Sequence, residues 1–165
     1  MNDTAGQKMA LDITPIEHRD QVDLQSHRLL YDYWDRLRAG MACPGYDQID
    51  VLGIDRSLLP WLMLAEVDRE RDDYLYRVVG TGIDDHNGFF ATGQYLSDVP
   101  LANKADMRAS FDRVVATRQP HFSASRYIGV HRNFKLARRL LLPLSRTRAE
   151  QDVTFIVCAV DFIQV

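Results

Sequence analysis

The residue type best suited to ligand chemistry is an arginine within a candidate strand. Arg138 falls on the same side of a regular strand as Leu140 and Leu142, so its guanidinium would point inward. A buried guanidinium needs compensation, and carboxylates or phosphates match its fork of donors. We therefore predict that Arg138 binds an anion in an internal pocket. Two alternatives stay open: a bulge that turns Arg138 and Arg139 outward, or an internal ion pair.

Aromatic residues and a histidine form a second candidate group. They lie on a glycine-broken segment after Gly80 and on the helix that follows it. A cavity lined by such side chains and a few polar groups is the usual form of a small-molecule site. The predicted pocket lining is Tyr76, His86, Phe89, Phe90, Tyr95, Phe111, Val115 and Arg138. The same side chains could instead fill the core, so whether the pocket is hollow stays open.

Catalytic and metal-binding motifs are missing from the sequence. It contains no GxSxG, no HExxH and no phosphate-binding glycine loop that ends in Lys-Ser/Thr. The triplet Asp84-Asp85-His86 fits the first turn of a helix as well as it fits a site. Cys43 and Cys158 are far apart and form no CxxC pair. We therefore predict no enzymatic activity and no metal site.

Length and composition predict a single globular domain. The chain has 165 residues, of which 46% are hydrophobic, enough for one core. Residues 1–22 lack periodicity and are predicted to be a flexible arm, ordered at most where Ile13 and Ile16 touch the domain, which leaves 23–165 as the domain. The first residues are acidic and polar where a signal peptide would be basic and apolar. No apolar run approaches the roughly 20 residues of a membrane span. We expect a cytoplasmic protein without membrane association.

Charge is distributed unevenly along the chain. The formal net charge is −3, yet no Asp or Glu occurs from Arg113 to Ala149, where arginines are frequent. This tract is either a solvated face balanced by acids elsewhere or a surface for an anionic ligand or a nucleic acid. The sequence has no recognisable reading helix or RNA-binding signature in the tract, which argues against nucleic acid.

An amphipathic helix is predicted from an N-cap at Ser26 to a stop at Gly40. Its apolar stripe must pack on the sheet of its own chain or on a helix of a partner. The second alternative makes the stripe a homodimer interface. The residues of that candidate interface are Leu30, Tyr33, Trp34 and Leu37.

Further elements complete an α+β fold. Asn103 is predicted to cap a helix that stops before Pro120. The first and last of the five candidate strands carry apolar residues on both sides, so both should be central and adjacent. The predicted strand order is 2-1-5-4-3. In chain order the strands are Trp61 to Val67, Tyr74 to Val79, His121 to Val130, Phe134 to Leu144 and Val153 to Ile163.

This order of elements resembles the PAS fold, an antiparallel sheet with helices cupping one face. Several motifs also resemble a bacterial PAS-like family formerly described only as a domain of unknown function. The resemblance covers about residues 28–163. Its motifs are Tyr33-Trp34 with Leu37-Arg38, Leu59-Pro60, the stretch from Tyr76 to Thr81, and Thr92-Gly93.

The resemblance implies a sensory or protein-interaction role and assigns no catalytic residue. The histidine of haem-binding PAS domains usually lies on the long helix, but Ala105 to Thr117 contains none. The Asn-Cys-Arg-Phe-Leu-Gln type of photochemical flavin motif is also missing. The sequence therefore argues against haem and flavin and leaves any cofactor unknown.

Together these features predict a cytoplasmic PAS-like sensory or signalling module, with an N-terminal amphipathic helix added to the fold. It would bind a small molecule or a protein partner, without catalysis, as a homodimer. The alternative is an anion-binding or nucleic-acid-associated regulator that uses the basic hairpin within residues 113–148.

Overall fold

The computed structural model describes residues 11–128 and 134–164. Within these ranges an antiparallel sheet forms the centre of the molecule, and three α-helices and several short 3-10 turns surround it. The helices are α1 (Gln25–Arg38), α2 (Thr81–Asn87) and α3 (Lys104–Thr117). The strands are β1 (Asp12–Pro15), β2 (Leu62–Asp68), β3 (Asp73–Val79), β4 (His121–Ile128), β5 (Phe134–Leu144) and β6 (Phe155–Gln164).

The sheet confirms the predicted α+β fold and strand pairing. Its order is β1-β4-β5-β6-β2-β3, so the five predicted strands follow one another as 2-1-5-4-3. Strands β2 and β6 pair in its interior, which explains why both carry apolar residues on two sides. The last two residues of the predicted strand from His121 to Val130 lie outside the described ranges.

A further strand at the sheet edge was not predicted. β1 pairs with β4 in antiparallel register, with Ile13 opposite Ser123. Ile16 and Val22, which follow β1, are buried in the core. The second half of the predicted flexible arm is therefore part of the folded domain, while residues 1–10 lie outside the described ranges.

Both faces of the sheet are covered, and each has its own apolar core. On one face α2, α3 and the segment between them pack against residues such as Met63, Tyr76 and Leu141. On the other face α1 and the 3-10 turns pack against residues such as Leu140 and Val157. We call the first face the cup. Because neighbouring strand residues point to opposite faces, adjacent positions of β5 enter different cores.

Helix α1 packs its apolar stripe onto the sheet of its own chain. Leu30, Tyr33 and Trp34 are buried there, and Leu37 is partly buried against the same cluster. The Trp34 indole N–H donates a hydrogen bond to the Pro143 carbonyl at 2.8 Å. The prediction that these four residues form a dimer interface is therefore wrong, because the stripe is already occupied within the chain.

The predicted ends of α1 are only partly right. The helix begins at Gln25 with Leu24 at the N-cap, so Ser26 lies inside the first turn and does not cap it. At the other end, Ala39 and Gly40 adopt positive φ angles of 49° and 81° and end the helix, as the glycine predicted.

Gly80 lets α2 start directly beside the 3-10 turn Arg56–Trp61. Its N–H donates to the Leu62 carbonyl at 2.7 Å. A Cβ atom at this position would overlap the Pro60 carbonyl oxygen. Only glycine allows this close approach, which fixes where α2 closes over the cup.

Candidate ligand-binding site

A small cavity lies in the cup, between the sheet and the helices α2 and α3. Its volume is about 30 Å³, enough for about two water molecules. The residues that line it come from β2, β3, α2, the segment before α3, α3, β5 and β6. They are Met63, Tyr76, Val79, Ile83, Asn87, Phe89, Ala91, Val99, Leu101, Asn103, Met107, Arg139, Val160 and Phe162.

Arg139 provides the charge in this cavity. The residue is 3% exposed and stands on the cup face of β5. Its Nη1 donates hydrogen bonds to Ser125 Oγ at 3.1 Å and to Ser123 Oγ at 3.4 Å. Within the described ranges it forms no salt bridge, and its Nε and Nη2 have no hydrogen-bond partner. Burial lowers the pKa of Arg139, because the charged guanidinium has lost its water.

Asn103 places a second polar group at the cavity. The prediction that it caps α3 is right for its position, but its side chain makes no capping hydrogen bond. Instead its Nδ2 lies 3.5 Å from Ser125 Oγ, the hydroxyl that also receives the Arg139 bond. Its Oδ1 is buried and has no partner among the described residues. The cavity therefore contains hydrogen-bonding capacity that the chain itself does not satisfy.

Arg138, the predicted anion-binding residue, lies on the opposite face of the sheet. Its Nη2 donates to Asp23 Oδ1 at 2.6 Å in a partly exposed ion pair. The prediction that Arg138 lines the pocket is wrong, and the alternative of an ion pair describes its surroundings. The reason is that Leu140 and Leu142 face α1 and not the cup. Because both faces of the sheet are buried, the apolar residues on the same side of the strand as Arg138 do not show which face contains the pocket.

Three of the predicted lining residues lie at the cavity, although they do not share one role. Tyr76 and Phe89 line the cavity. Phe111 is fully buried beside it, with its ring centroid 6.3 Å from that of Tyr76.

The other predicted lining residues lie elsewhere. His86 stacks on Phe162 with ring centroids 4.4 Å apart, and its Nδ1 lies 2.9 Å from the Gly82 carbonyl. The Tyr95 hydroxyl donates to Asp68 at 2.8 Å, and Phe90 is 78% exposed. Val115 lines a surface depression beside Tyr74. For these four residues the predicted place in the pocket is wrong.

The polar lining residues that the sequence does not predict come from three elements, and most of the other unpredicted lining residues are apolar. Arg139 was considered only as part of a bulge, Asn103 only as a cap, and Asn87 not at all. One signal could have pointed to Arg139. Ser123 and Ser125 alternate along β4, which is typical of a strand with one small, polar face. The strand that pairs with β4 is therefore a suitable place for a buried cationic side chain on the same face of the sheet.

The described part of the basic tract does not form one surface. Arg139 is in the interior, whereas Arg138 and Arg146 are paired with acids at 2.6 Å and 3.5 Å. Arg126 and Arg148 are exposed. Since the fold distributes these charges over both faces and the core, the alternative of a nucleic-acid-associated hairpin gains no support. No cluster of three or more His, Cys, Asp or Glu side chains that could hold a metal occurs among the described residues.

A central antiparallel sheet with helices cupped over one face is the arrangement of PAS-type domains. The family model described as "PAS domain" matches residues 22–158, and the chain belongs to this family. It is accordingly a module of the sensory and signalling class. This confirms the resemblance read from the sequence. No curated protein matches the chain.

A solved structure described as an RNA-binding light-oxygen-voltage receptor is similar in fold. The two share 14% identity with a TM-score of 0.52, and the match covers 92% of this chain. This chain spans 38% of the length of that receptor. At this identity the likeness concerns the fold alone. A light-oxygen-voltage receptor among its structural relatives gives no support to the prediction against flavin, which remains untested.

Within the described ranges, no helix has the length and apolar character needed to cross a membrane. A cytoplasmic location and a homodimer remain predictions.

Proposed function

We propose that this PAS domain is a non-catalytic sensor that binds a small molecule in its cup. One observation carries the proposal. The cavity in the cup is lined by Arg139, whose Nε and Nη2 have no hydrogen-bond partner among the described residues, and by Asn103, whose buried Oδ1 also lacks one. Native cores seldom leave such atoms unsatisfied, and a few polar groups on an otherwise apolar lining are typical of a small-molecule site.

Cavity size limits the ligand. About 30 Å³ accommodates a molecule with roughly the bulk of two waters. A haem or a flavin ring system is far larger and would fit only if α2 and α3 moved away from the sheet. The proposed ligand is therefore a molecule of few non-hydrogen atoms.

The nucleophiles near the cavity argue for binding without chemistry. Cys158 is buried in the cup core, and burial raises the pKa of its thiol to about 12. Burial also raises the pKa of the Tyr76 hydroxyl. Both groups therefore stay protonated at neutral pH, and a protonated thiol is a poor nucleophile.

The proposal is tested by screening small metabolites for an increase in melting temperature. Ligands that bind only the folded state raise it, and the stabilisation grows with the logarithm of one plus the ratio of ligand concentration to Kd. The decisive variant is Ala91→Val, because Ala91 is buried and lines the cavity, so two added methyl groups fill it. The matched control is Ala116→Val, which adds the same atoms at an exposed position of α3.

We expect at least one small compound to stabilise the wild type and the Ala116→Val protein but not Ala91→Val. If no compound raises the melting temperature, or if Ala91→Val responds fully, the cup is not the binding site. The domain would then act through protein contacts alone.

A further inference from the structure

We infer that the ligand of the cup is a short-chain carboxylate, held through its carboxylate group by Arg139. The inference rests on the proposed function and names the chemical class of the ligand. Three observations support it: the buried charge of Arg139, the Nε and Nη2 atoms of its guanidinium that lack partners, and the size and lining of the cavity.

No described carboxylate forms an ion pair with Arg139, and Asp106 acts on its charge only from beyond salt-bridge distance. Two serine hydroxyls solvate one nitrogen, but they bring no negative charge. Taking an unpaired cation out of water is costly, and buried charges are normally paired. An arginine side chain does not lose its proton in proteins, so it cannot escape this cost by becoming neutral. A bound anion would supply the missing charge.

The unpartnered atoms suit a carboxylate. Nη1 is used by Ser123 and Ser125, which leaves Nε and Nη2. These two nitrogens form one edge of the planar fork and donate in parallel, which matches the two oxygens of a carboxylate. Arg19 of the same chain uses this edge, because its Nε and Nη2 bind the two Asp32 oxygens at 2.6 Å and 2.8 Å.

Asn103 can add a donor to the same ligand. Its Oδ1 has no partner among the described residues, while its Nδ2 faces a hydroxyl at 3.5 Å. If the amide turned over, the Ser125 hydroxyl could donate to Oδ1 and the NH₂ group would be free to donate to a carboxylate oxygen.

The remaining lining selects a short apolar chain. Ile83, Val99 and Met107 surround the polar end with aliphatic groups. A space of about 30 Å³ limits the ligand to the smallest carboxylates, formate and acetate. Nitrate or chloride could neutralise the charge of Arg139 but would leave these aliphatic groups without contacts. The geometry therefore favours acetate over an inorganic anion.

The test measures the melting temperature of the full chain in sodium acetate against sodium chloride at equal ionic strength. Acetamide serves as the uncharged compound of the same shape. The variant is Arg139→Met, and the matched control is Arg138→Met, which removes the adjacent arginine on the opposite face. We expect acetate, but not acetamide, to stabilise the wild type and Arg138→Met. We expect Arg139→Met to lose at least tenfold in acetate affinity.

Arg139→Met has a second expected property. Because it removes an unpaired buried charge in favour of an apolar side chain, its melting temperature without acetate should equal or exceed that of the wild type. Should the variant fail to fold, NMR of the wild type decides: acetate must shift the backbone amide signals of Ser125, Asn103 and Arg139 but not that of Asp23.

Three results would overturn the inference: no response to formate or acetate; an equal response to chloride or acetamide; or a response that persists in Arg139→Met. If the Ala91→Val comparison has meanwhile identified a neutral ligand, the sensor proposal survives and only the carboxylate assignment falls. If neither experiment finds a ligand, both proposals fail.

Discussion

Two neighbouring arginines of β5 have opposite surroundings although their side chains are identical. Arg138 meets Asp23 near the surface, whereas Arg139 is fully buried among serines. The alternation of a strand requires that the two point to different faces. The burial of each then follows from what covers that face. A single residue's role is therefore set by its position in the sheet and not by its type.

His27 gives a prediction at the scale of one residue. It is fully buried on α1, stacks on Phe122, and neither ring nitrogen has a hydrogen-bond partner among the described residues. Burial, assisted by the Arg138 charge, lowers the pKa of His27 to about 4. The unfolded chain takes up a proton near pH 6.5, so the free energy of unfolding should fall as the pH drops from 6.5 towards 4. Above pH 6.5 the contribution is fully present.

Urea unfolding at pH 7 and pH 5 measures this effect. The wild type should lose about 2 kcal/mol more between the two pH values than His27→Leu, which has no titrating ring. His18→Leu is the matched control, because it replaces the same residue type at an exposed position. An identical pH dependence in His27→Leu would show that His27 is not buried as a neutral group.

At the scale of elements, the start of α2 depends on contact between two backbones. Gly80 lies against Pro60, and a methyl group there would overlap the Pro60 carbonyl. Gly80→Ala should therefore destabilise the domain by about 2 kcal/mol or more, since packed backbone cannot move without separating the elements. Gly40→Ala is the comparison. It has a positive φ but open space around it, so it should cost only about 1 kcal/mol.

Chemical denaturation of both variants measures their free energies of unfolding and checks that Gly80→Ala loses more than Gly40→Ala. We also expect Gly80→Ala, but not Gly40→Ala, to weaken binding of any cup ligand, because α2 carries Ile83 and Asn87 of the lining. Equal stability of the two variants, or a more stable Gly80→Ala, would contradict the close contact at Pro60.

For the whole molecule, the two cores share one sheet and should unfold together. The two tryptophans report on different faces: Trp34 lies under α1, and Trp61 packs beside the cup core. Single-tryptophan variants, Trp34→Phe and Trp61→Phe, isolate each signal. Within each variant, the fluorescence midpoint should coincide with the midpoint of far-UV circular dichroism. Fluorescence midpoints that separate from circular dichroism in either variant would show that one layer unfolds independently.

Much of the fold was predictable because local patterns and chain length constrain it strongly. Apolar residues on both sides of the first and last predicted strands placed β2 and β6 together in the middle of the sheet. Glycines at 40 and 80 correctly marked the ends of elements. The edge strand β1 was missed because four residues that pair along one side only carry little periodicity of their own.

The sequence by itself determined the five longer strands and their order in the sheet, since these follow from the spacing of apolar residues along the chain, while the cup was implied by the resemblance to the PAS fold. Only the tertiary structure decided that α1 covers the second face, and hence that Arg139 and not Arg138 enters the cup. The physical reason is that periodicity tells which residues share a face, whereas the identity of that face depends on what packs against it from distant parts of the chain.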